Sequence, residues 1–118
     1  MTDKELLTLA AKAAGYDISH KWNAERLASN PPVISLVIRD KRTLEGLSTA
    51  WNPLTDDGDA LRLAVKLDMN IEVWSPYQEV WVVADGFDVI EEPWGEDKLA
   101  ATRRAIVRAA AEIGRGME

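Results

Sequence analysis

Two strand-like segments separated by a short turn constrain the fold of this chain more than any other feature. In residues 70–75 and again in residues 79–84, β-branched side chains alternate with other side chains, which is the pattern of a half-buried strand. Pro76 lies between the two segments and fixes its own φ at a value that suits a turn. Strands joined by so short a turn pair antiparallel, so the pattern predicts a hairpin that brings Trp74 and Trp81 close together.

Helical periodicity marks both ends of the sequence. Residues 2–14 begin with Thr2 and Glu5 at the spacing of a capping box, and Gly15 suits the left-handed residue that ends a helix. Residues 97–117 form a longer helical segment whose alanines allow close approach to a sheet. These two segments are predicted as the first and the last helix.

A third helix is predicted after the turn that begins at Trp51. Trp51 and Pro53 define this turn, Thr55 is the predicted N-cap, and Asp56 lies in the first turn, where an anionic side chain is favoured. We interpret these four residues as structural. The apolar side chains that follow predict a helix largely covered by the rest of the protein.

The remaining segments predict the other strands. Residues 33–39 are apolar on both faces, which predicts a central strand, and Leu44 and Leu47 favour a second strand within residues 40–50. Residues 18–22 have the composition of a short strand. The order α-β-β-α-β-β-α disfavours a doubly wound parallel sheet. We therefore expect residues 1–118 to form a single α+β domain, in which three helices pack on a small antiparallel or mixed sheet.

Composition excludes several kinds of active site. Cysteine is absent, which excludes disulfides, zinc–thiolate sites, iron–sulfur clusters and a cysteine nucleophile. His20 is the single histidine, so no site can use two, and its sequence neighbours do not by themselves supply a positioned base. We expect no catalytic residues and no cofactor. No apolar run reaches the length of a membrane span, so we expect a cytoplasmic protein that does not contact the membrane.

One cluster of aspartates in the sequence is a candidate metal site. Asp56, Asp57 and Asp59 are interrupted by Gly58, and they lack the alternate spacing and the later glutamate of a calcium-binding loop. The same carboxylates suit the positive end of a helix dipole. We therefore expect helix capping there and no metal site.

The net charge of −6 is concentrated in one stretch of the chain. Residues 85–97 contain six acids and no base, and residues 98–115 contain five bases and one acid. This asymmetry suits helix electrostatics, and it also suits an acidic patch that binds a basic partner or mimics DNA. A strongly acidic chain is a poor ligand for phosphate backbones, so we do not expect general nucleic-acid binding.

Aromatic residues beside these acids are the candidate contact residues. Trp94 lies between Pro93 and Gly95 inside the acidic stretch, and it is the strongest single candidate. An exposed indole cluster beside acids suits a protein–protein hot spot. The predicted protein-binding set consists of Trp94, Glu91, Glu92, Trp74 and Trp81.

Three blocks of sequence resemble a known group of proteins. Residues 5–15, 51–64 (WNPLTDDGDALRLA) and 100–111 resemble, in this order, small proteins of tailed phages and prophages to which activities are mostly unassigned. The pattern is similar to the phage ABA sandwich domain and, more distantly, to NinX-type phage proteins. The resemblance implies a helix–sheet–helix sandwich and an accessory phage gene, and it carries over no catalytic residue.

These observations predict a phage- or prophage-encoded accessory protein. The first hypothesis is a non-catalytic protein–protein interaction module that modulates a host protein or a defence system in the bacterial cytoplasm. The alternative is nucleic-acid binding through the basic face of the C-terminal helix, with Arg103, Arg104 and Arg108 as contacts. A homodimer stays open, because a hairpin with an unpaired edge can pair with a second copy.

Overall fold

A computed structural model describes residues 1–19, 22–39 and 46–117. Helices and two small antiparallel sheets make up this part of the chain, which confirms the predicted α+β class. The elements in chain order are α1 (Asp3–Ala13), α2 (Trp22–Leu27), β1 (Ile34–Arg39), β2 (Gly46–Trp51), α3 (Asp57–Lys66), β3 (Asn70–Trp74), β4 (Glu79–Val83), β5 (Ile90–Pro93) and α4 (Lys98–Gly116).

The strands are divided between two sheets, where the sequence predicts one. β1 pairs with β2, and β3, β4 and β5 form a second sheet with β4 in the middle. The predicted hairpin is confirmed as β3 and β4, joined by a 3₁₀ turn at Ser75–Tyr77. β5 is an addition, because no strand is predicted within the acidic residues 85–97.

Two predictions for residues 18–39 are wrong. In the strand predicted at residues 18–22, residues 18 and 19 belong to no strand and Trp22 begins α2, while residues 20 and 21 lie outside the described part of the chain. The prediction that β1 is a central strand is wrong because of Asn23. The side chain of Asn23 is buried, and its amide accepts a hydrogen bond from Ser35 N–H at 2.7 Å and donates one to the Ser35 carbonyl at 3.1 Å. This amide takes the place of a neighbouring strand, so β1 has β2 as its strand partner in the described part of the chain and is not central.

The second strand of the first sheet is present among the described residues, as the sequence predicts. β2 spans Gly46–Trp51, within the predicted range of residues 40–50 apart from its last residue. Leu44, which supports that prediction, lies outside the described residues, and so does His20.

Helix capping agrees with the sequence at α1 and differs at α3. The Thr2 hydroxyl accepts a hydrogen bond from Glu5 N–H at 3.2 Å, and Gly15 has a φ of +78°, as predicted. α3 is capped by Asp56, whose carboxylate accepts from Asp59 N–H at 2.8 Å, so the prediction of Thr55 as the cap is wrong. Thr55 belongs to the preceding turn, where its N–H donates to the Asn52 carbonyl at 3.2 Å.

α4 is the helix around which the rest of the core is arranged. It packs against α1, α3 and one face of the β3-β4-β5 sheet. The residues that α4 buries are mostly small: Ala101, Ala105, Ile106, Val107, Ala109, Ala110, Ala111 and Gly114. At Gly114 the approach to α1 is so close that an added Cβ would lie 2.0 Å from the Leu9 carbonyl oxygen. Small side chains therefore determine how closely α1 and α4 pack.

Candidate protein-interaction surface

Strand register gives the β3-β4-β5 sheet two distinct faces. Val80 and Val82 of β4 point toward α4 and are fully buried, which defines the inner face. The residues between them point the other way. We call this opposite surface the outer face. Asn70 and Val83 lie at one end of it, and the part that crosses all three strands consists of Glu72, Trp74, Glu79, Trp81, Glu91 and Pro93.

The outer face has two rows of residues that run across the three strands. In one row Trp81 lies between Glu72 and Glu91, its partners on the two neighbouring strands. In the other row Glu79 lies between Trp74 and Pro93. Since neighbouring strands are about 4.8 Å apart, each row is short enough for one ligand side chain to contact all three of its members.

The two indoles of the outer face contact each other. Their ring centroids are 5.0 Å apart and their planes are inclined by 35°, and the ring of Tyr77 in the adjoining turn lies 6.1 Å from that of Trp74. Both indoles are half-buried, whereas Tyr77 is 65% exposed. This arrangement leaves a contiguous aromatic surface accessible to a partner.

Carboxylates hold these indoles in place. Trp74 Nε1 donates to Glu72 Oε2 at 2.8 Å, and Trp81 Nε1 donates to Glu79 Oε2 at 2.8 Å. In the described part of the chain, Glu72, Glu79 and Glu91 form no ion pair with a lysine or arginine side chain. The outer face is therefore both aromatic and negatively charged.

Two of the five predicted contact residues lie on the inner face instead. Glu92 points toward α4, where its carboxylate bonds to the Arg108 guanidinium and lies 4.0 Å from Arg104 Nε. Trp94 packs against the core, and Lys98 Nζ lies 4.1 Å from the centre of its ring. Its indole nitrogen is buried without a hydrogen-bond partner among the described residues. Packing and the lysine, rather than a hydrogen bond, therefore position the ring.

The structure thus brings together Trp74, Trp81 and Glu91 and separates them from Glu92 and Trp94. Glu72, Glu79 and Tyr77 belong to the same surface and are absent from the set of contact residues predicted from the sequence. The signal for Glu72 is present in the predicted hairpin, because Glu72 and Trp74 alternate with Ile71 and Val73 and so share a face.

The arginines of α4 have partners within the chain. Arg103 donates to Asp57 at 2.6 Å and to the Leu54 carbonyl at 2.9 Å, and Arg104 donates to Asp3 at 3.2 Å. Arg108 bonds to Glu92, as described above, and to the Glu91 carbonyl at 3.2 Å. A phosphate would have to compete with these groups for each guanidinium.

The residues of the turn before α3 also have structural partners. Trp51 and Pro53 are buried, and the Trp51 ring meets the Tyr16 ring edge-on at a centroid distance of 5.4 Å. Asp59 accepts hydrogen bonds from Asn52 N–H at 3.0 Å and from Arg62 at 2.8 Å, and the bond with Asp59 raises the pKa of Arg62 above its ordinary value. Among the described residues, no cluster of histidine or acidic side chains has the arrangement of a metal site.

One cleft beside the inner face has charged walls. It has a volume of about 380 Å³ and lies between the start of α1, β5 and α4. Arg104 and Arg108 line it together with Glu92 and Glu112, so charges of both signs are present and Glu92 is already paired with the arginines. Glu112 is also paired, with Arg115 at 2.9 Å.

Comparisons with known proteins add no assignment to this geometry. No protein-family model, no curated protein and no solved structure matches the chain. Within residues 1–19, 22–39 and 46–117, no helix has both the length and the apolar character needed to cross a membrane.

Proposed function

We propose that this protein is a non-catalytic protein–protein interaction module and that the outer face is its contact surface. The observation that carries the proposal is the Trp74–Trp81 pair, which is held at the surface by Glu72 and Glu79. Tryptophan and tyrosine are the residues most enriched among those that dominate binding energy at protein interfaces. Indoles fixed by hydrogen bonds lose little conformational entropy when a partner binds.

The resemblance of three sequence blocks to proteins of tailed phages supports a more specific proposal. On that resemblance the protein is a phage or prophage accessory protein, and its partner is a host or phage protein in the bacterial cytoplasm. Modulation of a host defence system is one form of this function.

The alternative of nucleic-acid binding through α4 has less support. The cations on which it depends are engaged by carboxylates of α1, α3 and β5. Titration with DNA and RNA at low salt tests the alternative directly, because binding to phosphates is strongest there. We expect no retention of either nucleic acid.

Affinity capture from a nuclease-treated bacterial lysate tests the proposed surface. The bait is the tagged protein, and the test variant is the double substitution Trp74→Ala/Trp81→Ala. A matched control, Leu61→Ala/Val65→Ala, removes two apolar side chains that are 62% and 69% exposed on α3. Circular dichroism establishes that each variant is folded.

We expect a partner that the wild type and the α3 control both retain and the tryptophan variant loses. Equal capture by all three proteins would contradict the proposal. Substitution of Glu92 or Trp94 is unsuitable here, because both residues lie on the inner face. A loss of capture would then also follow from a disturbed core.

A further inference from the structure

Three aromatic rings elsewhere in this protein have a cation from the same chain beside them. Arg26 lies 5.3 Å from the ring centre of Trp22, Lys66 Nζ lies 4.4 Å from that of Tyr16, and Lys98 Nζ lies 4.1 Å from that of Trp94. These distances fall within the ~6 Å at which a cation is attracted to the face of a ring.

The outer face lacks such a cation. In the described part of the chain, no lysine or arginine lies over the rings of Trp74, Trp81 or Tyr77, and the charged groups beside them are Glu72, Glu79 and Glu91. Ring faces and carboxylates both attract cations, so the two features point to the same ligand chemistry.

We propose that the outer face binds an arginine-bearing segment of a partner protein. This inference rests on the proposed function and names the chemistry of the partner. A guanidinium placed over Trp81 would have the carboxylates of Glu72 and Glu91 on either side, because both residues are its register partners. Each carboxylate can accept a charge-assisted hydrogen bond from the guanidinium while the flat cation stacks on the indole.

Arginine suits this surface better than lysine. A guanidinium is planar, stacks on aromatic rings and presents several donors in one plane, whereas an ammonium is a compact and strongly hydrated charge.

The carboxylates of the outer face also disfavour two other kinds of occupant. A nucleic acid would bring phosphates toward them, and a second copy docked face to face would bring six glutamates together.

The test measures the binding of defined peptides to the full chain. The probe is a fluorescein-labelled peptide of alternating arginine and glycine, and the matched probe has citrulline, whose urea group is neutral and nearly isosteric with a guanidinium, at each arginine. Fluorescence anisotropy gives the dissociation constant of each peptide at low and at high salt. We expect the arginine peptide to bind and the citrulline peptide to bind at least about tenfold more weakly.

Two double variants distinguish binding at a localised site from attraction by the overall charge of the protein. Glu72→Gln/Glu91→Gln removes two charges from the outer face, and Asp85→Asn/Asp88→Asn removes two charges from exposed positions outside it. We expect affinity for the arginine peptide to fall about tenfold or more in the first variant, since charge-assisted hydrogen bonds are lost. In the second variant we expect a change of about twofold, from weaker long-range attraction alone.

Equal losses in the two variants, or equal affinity for the two peptides, would overturn the inference. A dimer seen by sedimentation that depends on Trp74 and Trp81 would also overturn it, because a second copy would then be the occupant. These failures are distinct from failure of the proposed function. If lysate capture still depends on Trp74 and Trp81 while neither peptide binds, the interaction surface stands and only the chemistry of its partner is wrong.

Discussion

Glutamates and tryptophans lie on both faces of the β3-β4-β5 sheet, but the two faces differ in whether these side chains have basic partners. On the inner face, Glu92 is paired with α4 arginines and Trp94 with a lysine of the same helix. On the outer face, the carboxylates around Trp81 form no ion pair among the described residues. The comparison teaches that acids beside a tryptophan in sequence do not identify a binding surface. The proposed contact surface is distinguished by carboxylates to which the described residues supply no opposite charge.

The largest effect is expected from Gly114→Ala, which disturbs the helix that covers the inner face. The added methyl group overlaps the Leu9 carbonyl oxygen, so α4 must shift away from α1. We expect a loss of about 3 kcal/mol in the free energy of unfolding. Urea denaturation measures it, with Gly116→Ala as the control because an added Cβ there meets no atom within 4 Å. If both variants unfold at the same urea concentration, α1 and α4 do not approach each other as closely at Gly114 as the structure shows.

A smaller effect on stability is expected at two adjacent glutamates, whose side chains point to opposite faces of the sheet. Glu92→Gln weakens the bonds to Arg108 and leaves part of a half-buried guanidinium unpaired, so we expect a loss of about 1–2 kcal/mol. Glu91→Gln removes an exposed charge and should change stability by less than about 0.5 kcal/mol. Denaturation of the two variants side by side is the measurement. A larger loss in Glu91→Gln would reverse the assignment of the two faces.

The smallest effect concerns the indole pair of the outer face. In a double-mutant cycle with Trp74→Leu and Trp81→Leu, we expect a coupling energy of about 0.5–1 kcal/mol, since the rings contact each other at 5.0 Å. The cycle is measured by denaturation of the wild type, both single variants and the double variant. Additive losses would show that the rings do not interact and would weaken the case for a preformed aromatic surface.

Much of this fold follows from local patterns in the sequence. α1, α4 and the β3-β4 hairpin each combine clear periodicity with a local end signal, such as Thr2 before α1 or Pro76 in the turn. These signals act within a few residues, so no knowledge of tertiary structure is needed to interpret them. The pairing of Trp74 with Trp81 follows from the same local geometry.

The parts that could not be predicted depend on distant partners. β5 lacks the alternation of a strand because its inward position holds Glu92, and the arginines that accommodate this charge lie on α4. Similarly, the Asn23 amide forms hydrogen bonds with the backbone of β1 at Ser35. No periodic pattern in the sequence indicates this role. The division of the predicted contact residues between two faces has the same origin, since it becomes visible only when β5 is placed beside β4.

The packing of α1 on α4 also has a consequence for how the chain reaches this fold. Asp3 and Arg104, which are bonded across the two helices, are 101 positions apart in sequence. The apolar side of α1 is therefore covered by a helix that a ribosome makes only after all the intervening elements. Contacts of such long separation form late and slow the overall rate of folding. During synthesis, the side of α1 that carries Leu7 must stay exposed to water, or to a chaperone, until α4 has emerged.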